Sequence, residues 1–141
     1  MRIKYIFFVF CCLLLAACSG QKQTGNVFNI MDFGAAGDGK TDDAMAIQAA
    51  IDACAQAGGG QVLVPAGHTF LCSPFKLASF VELHLEANSR LLANPDESVY
   101  TESAFRENRG EGMMWISGKN LEQVSITGMG TIDGNGVAFM G

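Results

Sequence analysis

The feature that most constrains this chain is the stretch formed by residues 28–65, FNIMDFGAAGDGKTDDAMAIQAAIDACAQAGGGQVLVP. Its pattern predicts a strand, a glycine-rich turn, an amphipathic helix, a second glycine turn and another strand. A helix with one apolar stripe must pack that stripe against other apolar residues. We therefore expect the helix to cover a core and to lead directly into a strand.

The predicted helix has recognisable ends. Thr41 is expected to cap its first turn through the hydroxyl, and Asp42 and Asp43 lie where the helix dipole favours negative charge. Gly58 is expected to supply a left-handed C-cap just after the last periodic residue. The apolar stripe consists of Ile47, Ala50, Ile51 and Cys54. The side expected to face water carries Asp43, Gln48, Asp52 and Gln56.

The same stretch also fits a phosphate-binding pattern. Gly34, Gly39, Lys40 and Thr41 match G-x-x-x-x-G-K-[ST]. Such a loop needs free backbone N–H groups and a lysine directed at phosphates, but Asp38 lies beside this lysine and two further aspartates follow Thr41. No later apolar strand ends in an aspartate placed to hold magnesium. We therefore predict that the chain binds no nucleotide.

Longer motifs favour a different class of protein. They are FGAAGDGKTDD at residues 33–43, AIQAAIDAC at 46–54, GGG at 58–60, VPAG at 64–67 and GTIDGNG at 130–136. Together they resemble the N-terminal region of glycoside hydrolase family 28, the polygalacturonases and rhamnogalacturonases of the pectate lyase superfamily. The resemblance extends over residues 28–136. It implies an all-β solenoid, a right-handed parallel β-helix whose apolar end is capped by the N-terminal α-helix.

The resemblance also implies a function. The family hydrolyses galacturonic-acid-containing polysaccharide with inversion, so the implied partner is a pectic polysaccharide. Its catalytic signatures (Asn-Thr-Asp, Asp-Asp, Gly-His-Gly and Arg-Ile-Lys) follow the GTIDGNG motif, and none of them appears in order here. We therefore expect an N-terminal fragment, truncated after the first coils, that contains no catalytic residue and needs no cofactor or metal.

Apolar patterning after the helix predicts the coils of this solenoid. Short strands are expected near residues 61–64, 69–72, 80–85, 89–93 and 113–116. Val81, Leu83 and Leu85 alternate with Glu82 and His84, which indicates a strand with one buried face. The polar residues 100–111 are expected to leave the solenoid as a loop. Apolar residues between 121 and 132 then repeat the earlier arrangement, which predicts coils of about 20 to 25 residues.

The first residues predict an export address. Arg2 and Lys4 precede an apolar run at residues 5–17, which is too short to span a bilayer as a helix, and Leu15-Ala16-Ala17-Cys18 ends it. We expect a lipoprotein signal peptide at 1–17, lipidation of Cys18, a polar linker at 18–27 and the β-helix domain at 28–141. The implied location is the bacterial cell envelope, with Ser19 favouring the outer membrane. The alternative is an ordinary signal peptide.

The net charge of the chain limits which macromolecules it could bind. Lys and Arg number 9 and Asp and Glu 14, so the net charge is −5, and loss of Arg2 and Lys4 would make it −7. Such an acidic domain is a poor partner for nucleic acid.

Outside the cytoplasm Cys54 and Cys72 could form a disulfide, but small buried thiols are the better default.

Few residues in the chain suggest chemistry. The adjacent carboxylates of Asp42 and Asp43 are explained by helix capping, and Asp133 by a turn. His68 and His84 have no cysteine or carboxylate at a metal-ligand spacing.

Trp115 is the chain's single tryptophan and lies beside two methionines. A tryptophan in that setting is more typical of a core than of a sugar-binding surface, although it could stack on a sugar.

Two alternatives remain open on the same scaffold. One is a non-catalytic β-helix that serves as an adhesin or carbohydrate-binding module. The other is a polysaccharide lyase that acts by β-elimination, usually with calcium.

Overall fold

A computed structural model describes residues 25–105 and 112–140. The strands in this part of the chain are β1 (Val27–Asn29), β2 (Asp38–Asp42), β3 (Gly60–Val64), β4 (Thr69–Cys72), β5 (Phe75–Lys76), β6 (Val81–Leu85), β7 (Arg90–Ala93), β8 (Ile116–Ser117), β9 (Ser125–Gly128) and β10 (Thr131–Asp133). The helices are α1 (Ala44–Gln56) and α2 (Gly136–Phe139), with short 3-10 helices at Ile30–Phe33 and Glu97–Val99.

The strands form three parallel sheets that are stacked from successive turns of the chain. Their orders are β1-β3-β6-β9, β2-β4-β7-β10 and β5-β8, and every pairing within them is parallel. Parallel strands joined by crossovers take the right-handed connection. The molecule is a right-handed parallel β-helix, which confirms the fold expected from the resemblance.

The coils differ in length because insertions leave the solenoid at its corners. Gly60 pairs with Val81 and Thr69 with Arg90, 21 residues on in each case, as the predicted repeat requires. The first coil also contains α1, so Val27 pairs with Gln61. The third coil is about twice the short one, since Arg90 pairs with Thr131.

The core lies inside the coils and under α1. The stripe formed by Ile47, Ala50, Ile51 and Cys54 is fully buried, and α1 packs against β1, β3, β5 and β6. The capping position predicted for this helix is therefore confirmed. Val81, Leu83 and Leu85 also point inward and are buried.

Cys54 and Cys72 are both buried, and both are free thiols. Burial is the main cause that raises the pKa of Cys72, to about 12. The expectation of buried thiols is confirmed for this pair.

The predicted start of the helix is wrong. Residues Asp38–Asp42 form β2, which pairs with β4, and α1 begins only at Ala44. Thr41 does not cap α1, because its hydroxyl donates instead to the Asp38 carboxylate at 2.9 Å. Asp43 occupies the N-cap position but makes no capping hydrogen bond through its side chain, and it is buried rather than facing water.

The predicted end of the helix is confirmed. Gly58 has a φ of 91° and its amide donates to the Ala55 carbonyl, while the Gly59 amide donates to the Cys54 carbonyl. These two bonds make a Schellman motif, in which the left-handed residue allows the chain to turn sharply into β3.

The predicted loop at residues 100–111 lies only partly in the described chain. Ser103 forms an isolated antiparallel bridge with Met113, and the strand expected at 113–116 is limited to Ile116–Ser117. Residues 106–111, like the predicted signal peptide and most of the linker, lie outside the described residues. None of the described helices is long and apolar enough to cross a membrane.

Candidate functional site

Polar side chains stack at the corner of the solenoid where β2, β4 and β7 end. The Ser73 amide donates to Asp42 Oδ1 at 3.0 Å, and the Ser73 hydroxyl also donates to the Asp42 carboxylate. Asn94 Nδ2 donates to Ser73 Oγ at 3.0 Å and reaches Asp42 Oδ2 at 3.4 Å. Because Asp42, Ser73 and Asn94 come from successive coils, they form a polar ladder along the solenoid.

Hydrogen bonds within the ladder lower the pKa of the Asp42 carboxyl. Partial burial alone would raise the pKa of this carboxyl, but hydrogen bonds from the Ser73 side chain and amide, the Ala44 amide and Asn94 outweigh it and lower the pKa. The bond from the Ala44 amide, at 3.1 Å, is also a contact with the first turn of α1. Of the predicted capping side chains, Asp42 is thus the one that reaches the helix.

The neighbouring carboxylate of Asp43 has a structural task. It accepts hydrogen bonds from the amides of Ala36 at 2.6 Å and Gly37 at 3.1 Å, and so it ties the glycine-rich loop to the start of α1. A phosphate bound in this loop would need those same amides. The amides of Lys40 and Thr41 both donate to Asp38, so the segment does not have the open cradle of a phosphate-binding loop.

A cavity of about 600 Å³ lies beside the polar ladder. It is lined by Ala93, Glu97, Tyr100, Met113, Trp115, Gly134 and Phe139. The Tyr100 hydroxyl donates to the Asn94 carbonyl at 2.8 Å, and Trp115 Nε1 donates to the Cys72 carbonyl at 3.0 Å. The Tyr100 and Trp115 rings are therefore fixed to the backbone of the coils that carry the ladder.

Sequence reasoning identified only part of this cavity. Trp115 was expected mainly in the core, and it does pack against core residues, but it is only half-buried and also lines the cavity. Glu97, Tyr100 and Phe139 were not predicted as site residues. The sequence does contain a signal for two of them, because an aromatic residue follows a strand in each case: Tyr100 follows β7 and Phe139 follows β10.

The other candidates have structural roles. Asp133 accepts a hydrogen bond from the Asn135 amide at 2.7 Å and forms an ion pair with Arg90. The Asn135 amide, and then Arg90, lower the pKa of Asp133. This confirms the turn expected there.

The two histidines lie apart on the coils. His84 points outward from β6, with Nδ1 2.8 Å from the Thr127 hydroxyl, and the His68 ring lies 5.8 Å from that of Phe70. Within residues 25–105 and 112–140, no three His, Cys, Asp or Glu side chains are grouped so that they could hold a metal ion.

Comparison with known proteins places the chain in a family. Residues 27–123 match the family model described as Rhamnogalacturonase A/epimerase, pectate lyase-like. The chain belongs to this family. Its capped β-helix is thus the family fold, and the resemblance inferred from the motifs is confirmed.

Two curated relatives show how the match is distributed. A probable polygalacturonase of Arabidopsis thaliana is 32% identical over 120 residues, which is 82% of this chain and 24% of the relative. Mannuronan C5-epimerase AlgE1 of Azotobacter vinelandii is 60% identical over 55 residues, or 35% of this chain and 4% of the relative.

A solved structure agrees with the polygalacturonase match. The family 28 exopolygalacturonase of Yersinia enterocolitica superposes with a TM-score of 0.67 at 32% identity, covering 79% of this chain and 21% of that structure. The chain therefore spans about a quarter or less of the length of these relatives.

Proposed function

We propose that these coils form the N-terminal part of a pectin-degrading glycoside hydrolase that cleaves galacturonic-acid-containing polysaccharide. The observation that carries this proposal is the superposition on a family 28 exopolygalacturonase, with a TM-score of 0.67 over 79% of the chain. The Arabidopsis polygalacturonase match, which extends over 82% of the chain, supports the same activity. In the whole protein, the described coils would supply the capped start of the solenoid.

The catalytic carboxyls would lie in coils that these 141 residues do not supply. Inverting glycosidases place an acid and a base about 6.5–9.5 Å apart on opposite sides of the scissile bond. Asp42 is held by Ser73 and the Ala44 amide, and Asp43 is buried against the amides of Ala36 and Gly37. Both carboxylates are thus engaged in hydrogen bonds that hold the first coils together.

The test is an assay of reducing ends released from polygalacturonate and rhamnogalacturonan. We expect none from the 141-residue chain and release from a longer product of the same reading frame, with the inverted anomer seen first by NMR. Turnover by the 141-residue chain that is lost in Asp42→Asn or Asp43→Asn would show that these carboxylates are catalytic. Retention of the anomeric configuration would contradict the inverting mechanism.

A second candidate activity is cleavage of an acidic polysaccharide by a lyase, and two further relatives favour it. The 60% identity over 55 residues is to a mannuronan C5-epimerase, and an alginate lyase of the same organism is 68% identical over 40 residues. A lyase would leave an unsaturated, ultraviolet-absorbing sugar at the new chain end, whereas a hydrolase would not. The same digest therefore distinguishes the two activities.

We also propose that the protein is anchored in the bacterial envelope, in the outer membrane, through a diacylated Cys18. Support comes from the sequence Leu15-Ala16-Ala17-Cys18 after an apolar run. Two acyl chains give stable anchoring where one gives only reversible binding. Cys18→Ala should leave an unprocessed precursor of higher mass, detectable by mass spectrometry of the membrane fraction. Normal processing and release of that variant would contradict the lipoprotein assignment.

A further inference from the structure

The cavity beside the polar ladder is suited to a small ligand. Its volume of about 600 Å³ lies within the range of about 300–1,000 Å³ that is usual for small-molecule sites. Its lining comes from distant parts of the chain. Glu97 and Tyr100 follow β7, Trp115 precedes β8, and Phe139 lies in α2. None of the functions described above uses it.

The aromatic rings in the cavity are fixed in orientation. The polar ends of Tyr100 and Trp115 both donate to backbone carbonyls, as described above. Phe139 packs edge-on against Tyr100, with ring centroids 5.9 Å apart and an interplanar angle of 77°. With their polar ends already bonded, the Tyr100 and Trp115 rings offer the cavity apolar surface at little further cost in conformational entropy. Such surface suits the C–H face of a pyranose ring.

The charge of the cavity limits which pyranose it can take. Glu97 supplies a carboxylate to the lining, and no lysine or arginine is among the described residues that line the cavity. Burial first, and then the nearby groups Cys72 and Asp42, raise the pKa of Tyr100, so the anionic form is disfavoured there. A free uronate would meet repulsion, whereas a neutral sugar could donate its hydroxyls to Glu97.

We propose that this cavity is a binding subsite for an uncharged pyranose residue of a pectic chain, such as a methyl-esterified galacturonate. The polysaccharide class rests on the proposed function, but recognition of the uncharged ring does not require hydrolysis. The subsite would make this face of the solenoid select esterified stretches of a substrate that is otherwise a polyanion.

The test uses tryptophan fluorescence of the full 141-residue chain. Trp115 is its only tryptophan and lines the cavity, so the signal reports on this site. Two probes are titrated, galacturonate oligosaccharides of one length that are either methyl-esterified or free. We expect the esterified probe to change the fluorescence and to bind about fivefold or more tightly than the free one.

Three variants locate the binding. Tyr100→Ala should weaken binding of the esterified probe about fivefold to tenfold, while Tyr100→Phe, which keeps the ring but loses its hydrogen bond to Asn94, should weaken binding less. Glu97→Gln removes the charge at an exposed position and should reduce the preference for the ester. Phe80→Ala is the matched control, since Phe80 is an exposed aromatic residue that does not line the cavity. Circular dichroism checks that each variant is folded.

The possible outcomes are distinct. No fluorescence response to either probe, equal affinity for the two, or unchanged binding by Tyr100→Ala would each overturn the proposal. If Tyr100→Ala does not fold, an unchanged ester preference in Glu97→Gln overturns the assignment of the charge to this cavity. Because the readout is binding, absence of hydrolysis by any form of the protein leaves this result standing.

Discussion

Asp43 shows how much of the local fold depends on one carboxylate. It is 2% exposed and accepts the amides of Ala36 and Gly37, which belong to the loop between the first 3-10 helix and β2. Asp43→Ala would leave both amides without their acceptor. We expect the free energy of unfolding to fall by about 2–3 kcal/mol, measured by urea denaturation.

The matched control for that change is Asp52→Ala. Asp52 lies on the exposed side of α1, and its carboxylate accepts a hydrogen bond from Gln48 Nε2. Its replacement should change stability by no more than about 0.5 kcal/mol. Equal losses in the two variants would show that the buried bonds of Asp43 contribute nothing specific.

The lowered pKa of Asp42 should make the stability of the fold depend on pH. Its pKa in the folded chain is lowered, because its hydrogen bonds outweigh the effect of burial. Such a group stabilises the fold fully above its unfolded pKa, near 3.8, and this contribution is lost as the pH falls through the lower folded pKa. Urea unfolding at several pH values should show a shallower acid decline in Asp42→Asn. An identical decline in both proteins would contradict the role assigned to the ladder.

The sequence placed acidic residues at the start of α1 but did not identify their partners. Asp42 bonds to Ser73, 31 residues away, and to Asn94, 52 residues away. These contacts exist only because successive coils bring equivalent positions together. Local capping rules consider one helix and its nearest neighbours, so they assigned Thr41 a bond that the fold does not make.

At the level of elements, the C-terminal end of α1 is the clearest test of backbone conformation. Gly58 has a φ of 91°, and a Cβ added there would meet no atom within 4 Å. Gly58→Ala should therefore cost only the strain of the left-handed conformation, about 1 kcal/mol, as a fall in the free energy of unfolding.

Gly25→Ala is the control for this substitution. Gly25 also has open space around it, but it does not adopt a left-handed conformation. No measurable loss is expected there. If Gly58→Ala were as stable as Gly25→Ala, the C-cap would not depend on glycine.

Some strands can be recognised from alternating apolar and polar residues, whereas others form only because they pair with a neighbouring strand. In β6, apolar and polar residues alternate and the apolar ones are buried, so the sequence pattern was sufficient. In β2 the sequence DGKTD has no apolar residue, and it is mostly exposed. Its strand conformation depends on pairing with β4, which no local pattern can report.

At the scale of the molecule, the last coil differs from those before it. Ile126 in β9 is 45% exposed and Ile132 in β10 is 42% exposed, whereas their partners Leu83 and Leu91 are fully buried. We expect a polypeptide of residues 19–141 to self-associate through this surface, because apolar area is removed from water and open strands can pair. Sedimentation velocity over a range of concentrations would measure it.

Paired substitutions distinguish this surface from others. Replacement of Ile126 and Ile132 by lysine should shift the polypeptide toward monomer. Met45→Lys should not, although Met45 is 87% exposed, because it is an isolated residue on α1. Association that persists in the double variant would contradict the assignment.

The cavity illustrates what sequence patterns cannot supply. Three separate segments contribute to it, and Trp115 satisfies the description of a core residue and of a cavity residue at once. Sequence periodicity predicted the strands because apolar and polar residues alternate between the two faces of each strand. The cavity lies between loops at the corners, where no such alternation occurs, so it can be recognised only in the assembled coils.

The unequal coils have a consequence for how such a protein can change. Residues 94–115 separate β7 from β8, yet β9 resumes pairing with β6 residue by residue, from Glu82 with Ser125 to Leu85 with Gly128. Doubling the length of a flexible loop costs only about 0.6 kcal/mol of closure entropy. This corner is therefore a natural graft point, where evolution or an engineer can lengthen one wall of the molecule while the stacked sheets keep their register.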